Sequence, residues 1–311
     1  MFCSTIIPTI KRATLSRAIH SILEQQLDDD FEVIVVNDSG EEMPAYDWQD
    51  SPRVRVIHTN RRERSVARNT GAAVARGRYL HFLDDDDWML PDAFRSFQEL
   101  ATTSQATWIF GSYMLVDSAG TFIDERYPDE RGNCFVRFVA GEWLPLQASL
   151  IRAEPFFECG GFAPLESLLG GDEDVDLARQ IALKHDIAGI AELVAVIRVG
   201  LDTSTTNFSN LVEQSRQSRE RVLSKAGALS RLHDSANCRR TSQEYWHGRM
   251  VSSYLGSARW NVKQGRWFTA VSRGLSGTAA TLMSGEHVVA GDFWRGVLKP
   301  HLPMGWLSSG S

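Results

Sequence analysis

The chain has 311 residues, 43% of them hydrophobic and 23% charged, with a formal net charge of −6. This length suffices for one large domain and a smaller one, and the composition excludes a disordered or fibrous chain. The negative bulk charge gives no reason to expect a nucleic-acid partner.

Four cysteines, Cys3, Cys134, Cys159 and Cys238, lie far apart with no CxxC pair. Neither a zinc site nor a disulfide framework is expected, and a reducing, cytoplasmic setting is the default. The apolar stretch at the N-terminus is too short for a signal peptide, and no run reaches the ~18 apolar residues needed to span a bilayer.

The first part alternates strands and helices. STIIPT reads as a short strand, and LSRAIHSILEQ places Leu15, Ala18, Ile19, Ile22 and Leu23 on one helical face. FEVIVVND is a continuous apolar strand of the buried parallel kind, and VRVIH is another. SVARNTGAAVARG predicts a small-residue helix with Gly77 as its C-cap. YLHFLDDDDW predicts a strand running into four carboxylates, and PDAFRSFQEL a helix with Pro91 in its first turn. ATWIFGSYMLV adds a strand. Residues 111–165 look irregular, a helix follows Gly170-Gly171, and VAVIRV reads as a final strand.

This alternation predicts an α/β fold with a Rossmann-like, mostly parallel sheet flanked by helices. Ligands of such sheets bind at the carboxyl ends of the strands. Asn37-Asp38 and Asp84 to Asp87 both fall at such ends, so two acidic strand ends can face one crevice.

Two unit charges ~4 Å apart repel by roughly 4 kcal/mol at an effective dielectric of 20. Four adjacent carboxylates are therefore costly unless a cation arrives. In an extended chain Asp84 and Asp86 would point the same way, which suits Mn²⁺ or Mg²⁺ shared with phosphates. The alternative is a solvated turn capping the next helix, a role expected of Asp87.

The sequence resembles family-2 glycosyltransferases, which have the GT-A fold. Four segments over about residues 3–200 carry the resemblance: IIPTIKR, VIVVNDSG, RSVARNTGAAVARGRYLHFLDDDDWMLPD and GGFAPLESLLGGDEDVDLARQIA. The third ends in the family's Asp-x-Asp motif. The resemblance implies that Pro8 and Thr9 line a nucleotide-sugar pocket, that Asp38 bonds the base, and that Arg68 contacts the base or a phosphate. It implies that Asp84 holds the ribose or the phosphate side of a metal site, with Asp85 beside it, and that Asp86 ligates the metal. It implies Asp174 as general base, with Glu173 or Asp172 as fallback, and an inverting, non-processive transfer. Without the resemblance, these last three residues would read as an acidic first helical turn favoured by the helix dipole.

The implied donor is UDP- or dTDP-linked. The implied acceptor is a glycan, lipid-linked or small-molecule hydroxyl. The chain departs from the family where Ile10-Lys11 replace Tyr-Asn, where Ala163 replaces the Asp after Gly-Gly-Phe, and where Gly200 replaces a common His. Acceptor specificity is expected near Trp143 and Gln147.

Residues 1–205 are expected to form the catalytic domain and 206–311 a mainly helical extension. The segment QEYWHGRMVSSYLGSARWNVKQGRW suggests helix packing, a homodimer contact, or an amphipathic peripheral membrane face at the inner side of the membrane. Rival functions are a sugar-nucleotide nucleotidyltransferase, against which TIKRATLSR counts because it lacks Gly, and an inactive scaffold of the same fold.

Overall fold

The computed structural model of the chain describes residues 1–298 apart from 28, 140, 141, 143, 169–172, 200–210, 234, 235 and 264, and no side chains at 211–216, 232, 233, 236–243 and 263. Gly170, Gly171, Asp172, Trp143 and Gly200 thus lie outside the described residues. The chain divides into two compact units. The first comprises Met1–Cys134, Leu144–Ser167 and Asp176–Gly200, and the second Phe135–Trp143, Leu168–Val175 and Leu201–Ser311.

Among the described residues, the first unit is built on nine strands. In chain order they are β1 (Cys3–Thr9), β2 (Phe31–Asn37), β3 (Val54–His58), β4 (Tyr79–Phe82), β5 (Trp88–Met89), β6 (Trp108–Val116), β7 (Phe122–Arg126), β8 (Ser149–Arg152) and β9 (Ile187–Arg198). The order across the sheet is β3-β2-β1-β4-β8-β6-β9-β5, with β7 added on β6. β3, β2, β1 and β4 are parallel. β8 then runs antiparallel to both β4 and β6, while β6 and β9 are again parallel. Parallelism is thus concentrated in the N-terminal half, where it sends β1, β2 and β4 to a common carboxyl edge.

The helices are α1 (Leu15–Leu23), α2 (Arg64–Ala73), α3 (Ala93–Thr103), α4 (Phe135–Val139), α5 (Ala153–Glu158), α6 (Glu173–Ala182), α7 (Leu211–Leu223), α8 (Ala228–His233), α9 (Ala236–Lys263), α10 (Trp267–Met283) and α11 (Gly291–Leu298). α1 buries Leu15, Ala18, Ile19 and Ile22, as its 3.6-residue pattern requires. They join a core with Phe31, Val33, Phe94 and Ile109.

Several local expectations are corrected. α2 ends at Ala73, and its C-cap is Val74 rather than Gly77. Gly77 answers a different demand: a Cβ there would lie 2.4 Å from Ser4 N, so the chain passes β1 where only glycine fits. Pro91 lies ahead of α3, whose N-cap is Asp92 in the left-handed region. The span 111–165 carries β7, α4, β8 and α5, more regular structure than its composition suggests.

In the second unit α9 packs against both α10 and α11. Tyr245 and Trp246 are buried, with Met250 against them, and the Tyr245 hydroxyl donates to Glu142. The α9–α11 crossing is close: a Cβ on Gly248 would meet Phe293 O at 2.0 Å, and one on Gly296 would meet Tyr245 O at 2.4 Å.

Gly71 on α2 makes the matching approach to the sheet, since a Cβ there would sit 2.4 Å from Ile6 Cγ2. Gly71→Ala should push α2 off the sheet and cost about 1–3 kcal/mol. Gly256→Ala in α9, with nothing within 4 Å of the new Cβ, should stabilise by up to about 1 kcal/mol through helix propensity. Denaturant unfolding of both variants checks the opposite signs.

Candidate nucleotide-sugar site

Three parallel strands deliver the expected residues to one edge of the first unit. β1 ends at Thr9, β2 at Asn37, and β4 at Phe82 just before Leu83 and the acidic run. Asp38 N–H donates to Thr9 O at 2.9 Å, and Thr9 Oγ1 donates to Asp85 Oδ2 at 2.5 Å. Thr9 therefore ties the end of β2 to the turn after β4. Pro8, half-buried, is its neighbour on β1.

The acidic run is not extended. Asp87 N–H closes back on Asp84 O at 3.1 Å, so Asp84 to Asp87 form a turn. The expected alternation of Asp84 and Asp86 does not hold, and each carboxylate finds its own partners. Arg68 Nη2 and Gln147 Nε2 donate to the two oxygens of Asp84 at 2.7 and 2.8 Å. Arg12 Nη1 donates to Asp86 Oδ2 at 2.6 Å and lies 3.4 Å from Asp85. Arg17 lies 3.7 Å above the ring of Trp88 and donates to Asp86 O at 3.3 Å.

Asp87, expected to cap the next helix, is instead buried and accepts Arg198 N–H at 2.6 Å. That bond fastens the turn to the end of β9, so a backbone amide of β9 rather than the next helix takes this carboxylate.

The four acids differ in acidity because their surroundings differ. Burial raises Asp84, but Arg68, Arg64 and Gln147 outweigh it and hold this partly exposed carboxyl below its ordinary value. Burial pushes Asp85 up to about 6 against the pull of Thr9 and Arg12. Burial, with the repulsion of Asp84, raises Asp86 in spite of Arg12 and Arg198. Burial and the charges of Asp84 and Asp86 raise Asp87 well above the usual carboxylate range. Such crowding of perturbed groups at a strand edge makes it the candidate functional site.

Asp38 serves the same edge differently. Its carboxylate accepts Thr59 Oγ1 at 2.7 Å, Arg61 N–H at 2.8 Å and Glu63 N–H at 2.7 Å. Burial opposes ionisation, but these donors prevail and its pKa is lowered. The segment 59–63 is thereby folded around Asp38, and Oδ2, which takes one of the three bonds, keeps acceptor capacity for a ligand N–H.

The Gly-Gly-Phe turn docks on the same helix that carries Arg68. Gly160 and Gly161 have φ of 87° and 67°. Asn69 Nδ2 donates to Phe162 O at 2.8 Å, and Phe162 N–H donates to Asn69 Oδ1 at 3.0 Å. The guanidinium of Arg68 lies 5.4 Å from the centroid of the Phe162 ring. One Arg-Asn pair on α2 thus aims at the acidic turn with its first residue and clamps the Gly-Gly-Phe turn with its second.

The first unit therefore brings together Pro8, Thr9, Asp38, Arg68, Asp84, Asp85 and Asp86. Glu173, buried, and Asp174, half-buried, open α6 in the segment Leu168–Val175 of the second unit, where Val175 N–H donates to Asp174 Oδ1 at 2.8 Å. Sequence reasoning missed Arg12, Arg17, Asn69 and Arg198 as partners. It weighed Gln147 for the acceptor, whereas its amide sits on Asp84 and its carbonyl lies 3.0 Å from His81 Nε2.

Among the described residues, no three His, Cys, Asp or Glu side chains form a ready metal cage. Mg²⁺-type sites that draw on substrate phosphates and water need only one or two carboxylates. Asp86, a hard oxygen donor already holding a guanidinium, fits that chemistry.

The strand order and the acidic turn define an α/β protein whose candidate site lies at the carboxyl edge of its parallel strands. The chain belongs to glycosyltransferase family 2: the family described as "Glycosyl transferase family 2" matches residues 4–165. It is 41% identical over 96 residues to the uncharacterized glycosyltransferase EpsJ of Bacillus subtilis (strain 168), a match covering 29% of this chain and 27% of EpsJ. It is 27% identical over 177 residues to an uncharacterized glycosyltransferase of Haemophilus influenzae, covering 56% of this chain and 59% of that protein. The matches thus span less than two thirds of these relatives. In fold it is similar to S. aureus TarS 1-349 in complex with UDP-GlcNAc, with a TM-score of 0.57 at 12% identity, covering 90% of this chain and 92% of TarS 1-349.

The acidity of Asp85 has a testable consequence. Folded, it releases its proton near pH 6; unfolded, near pH ~3.9. The protonated carboxyl therefore contributes stability that is complete below pH ~4 and lost as pH rises through about 6. In metal-free buffer Asp85→Asn, which cannot ionise, should be more stable than wild type by about 1–3 kcal/mol above pH 7 and nearly equal at pH ~4. Denaturant unfolding at the two pH values checks this, and the same difference at both would contradict it.

Proposed function

We propose that the protein is an inverting, non-processive glycosyltransferase that moves a sugar from a UDP- or dTDP-linked donor to a hydroxyl acceptor in glycan, polysaccharide or glycolipid assembly. The observation that carries the proposal is the acidic turn after β4, tied through Thr9 to Asp38 and through Asp84 to Arg68. Membership of the family supports the reaction class and leaves the nucleotidyltransferase reading without support. The UDP-GlcNAc bound by TarS supports a uridine donor. The name of a relative, the poly(ribitol-phosphate) beta-N-acetylglucosaminyltransferase TarP of Staphylococcus aureus, 30% identical over 117 residues, supports sugar transfer in polysaccharide assembly.

In this reading residues 1–205 form the catalytic domain and 206–311 its helical extension. Pro8 and Thr9 wall the base pocket, and Asp38 accepts the base N–H. Asp84 takes the ribose, positioned by Arg68 and Gln147, and Asp85 is held against Thr9. Asp86, once released by Arg12, is the protein ligand of Mn²⁺ or Mg²⁺. The cation, when bound, offsets the negative charge that grows on the departing diphosphate. Arg12, whose guanidinium holds Asp86 in the free chain, would supply a second positive charge to the diphosphate. Asp174, or Glu173 beside it, accepts the proton of the attacking hydroxyl. The setting is cytoplasmic.

A thermal-shift screen of UDP, dTDP, GDP, CDP and ADP, with and without Mn²⁺, tests this on wild type and Asp86→Asn. A nucleotide at ~100 times its Kd adds ~2.7 kcal/mol, which should raise Tm by a few degrees. One uridine or thymidine nucleotide should give a metal-dependent shift that Asp86→Asn abolishes. No shift with any nucleotide would favour the inactive scaffold.

A further inference from the structure

α10 wears its amphipathic pattern inside out. Ala270 and Gly277 are its buried residues, and Gly277 faces Tyr254 and Leu255 of α9. The large apolar residues Trp267, Phe268, Val271, Leu275 and Leu282 all face solvent, with Phe268 91% and Leu282 77% exposed. At 100° per residue these five fall within an arc of about 100°. A helix of an ordinary soluble bundle would turn that arc toward the core. Contiguous exposed apolar faces of this kind mark interaction sites.

The charge around the helix is equally one-sided. From Tyr245 to Gly285 the sequence contains no Asp or Glu but five basic residues, Arg249, Arg259, Lys263, Arg266 and Arg273, in a chain whose net charge is −6; of these Arg249 is buried and belongs to the interior of the second unit. Arg259 and Arg266 are exposed, and Arg266 lies 5.4 Å from the ring centroid of Trp260, just ahead of Trp267.

We propose that the outer face of α10 is a membrane-docking surface that lies in the plane of an anionic lipid bilayer. The apolar arc enters the acyl boundary, Trp267 and Phe268 sit at headgroup depth, and the exposed Arg259 and Arg266 meet the lipid phosphates. No helix among the described residues is long and apolar enough to cross a membrane, so the mode is in-plane contact. A second copy of the chain is a poorer occupant, because the segment 245–285 offers no carboxylate to the exposed Arg259 and Arg266 of another copy.

This surface differs from the one the sequence suggested. There the candidate was the segment centred on α9, whose Tyr245, Trp246 and Val251 are buried in the second unit. The aromatic residues of α9 build a core, and the small residues of α10 that pack on it leave the opposite apolar arc outside.

Co-sedimentation of the full chain with phosphatidylcholine vesicles, with and without phosphatidylglycerol, tests the proposal without nucleotide or metal. Its outcome is therefore independent of the donor-site reading. Wild type should sediment with the mixed vesicles, weakly with pure phosphatidylcholine, and less at high salt. Phe268→Glu/Leu275→Glu should lower partitioning at least about tenfold. Arg259→Gln/Arg266→Gln should lower it about fivefold per charge removed. Because all four side chains are exposed, the thermal unfolding of both variants should match wild type. If the first pair unfolds, the arginine pair decides alone. No binding by wild type, or binding unchanged in the variants that fold, would overturn the proposal. So would a wild-type dimer in sedimentation velocity that the glutamates split while lipid binding stays absent.

Discussion

Adjacent carboxylates at one strand end repel by several kcal/mol unless each acquires a partner, and the first unit satisfies that demand with groups drawn from far along the chain. Arg68 and Gln147 take Asp84, Thr9 takes Asp85, Arg12 takes Asp86, and the backbone of Arg198 takes Asp87. Each bond links the turn to a different element: β1, the loop after β1, α2, the turn before β8, and the end of β9. The acidic turn is thereby a hub that fixes where five segments meet. Burial first, and the neighbouring carboxylates second, leave Asp85, Asp86 and Asp87 with raised pKa values.

The neighbouring motifs make physical sense around that hub. Asp38 folds the segment 59–63 through backbone amides, and that segment leads directly into α2. α2 approaches the sheet closely because Gly71 meets Ile6 without a Cβ. That closeness lets Arg68 reach Asp84 while Asn69 clamps the Gly-Gly-Phe turn. Small residues, a cation and an amide within four positions of one helix therefore couple three separate stretches of sequence. This is why the long central signature reads as a unit even though its parts act in different places.

Much of this was legible in the residues. Apolar runs gave β1, β2 and β4, helical periodicity gave the buried face of α1, and the strand ends pointed to Thr9, Asp38 and the acidic run. What escaped was the non-local part. Arg12 and Asp86 are 74 positions apart, and Arg198 and Asp87 are 111 apart, and no local pattern announces such pairs. The acidic run reads both as an extended stretch and as a turn; the apolar strand before it favours the extended reading, and the structure has the turn. Gly77 looked like a cap because its demand comes from β1, far away in sequence. On α10 the composition was visible but not its orientation, since only the packing of Ala270 and Gly277 reveals which side is outward.

Arg12 occupies Asp86 in the free chain, so a divalent cation should bind weakly until a diphosphate offers Arg12 another anion. Calorimetric titration of Mn²⁺ into the free chain and into the chain saturated with UDP measures this linkage directly. Affinity for Mn²⁺ at least about tenfold higher with UDP, equal to about 1.4 kcal/mol of coupling, is the expected result. Equal Mn²⁺ affinity in the two titrations would contradict a site in which Arg12 guards Asp86 until the donor arrives.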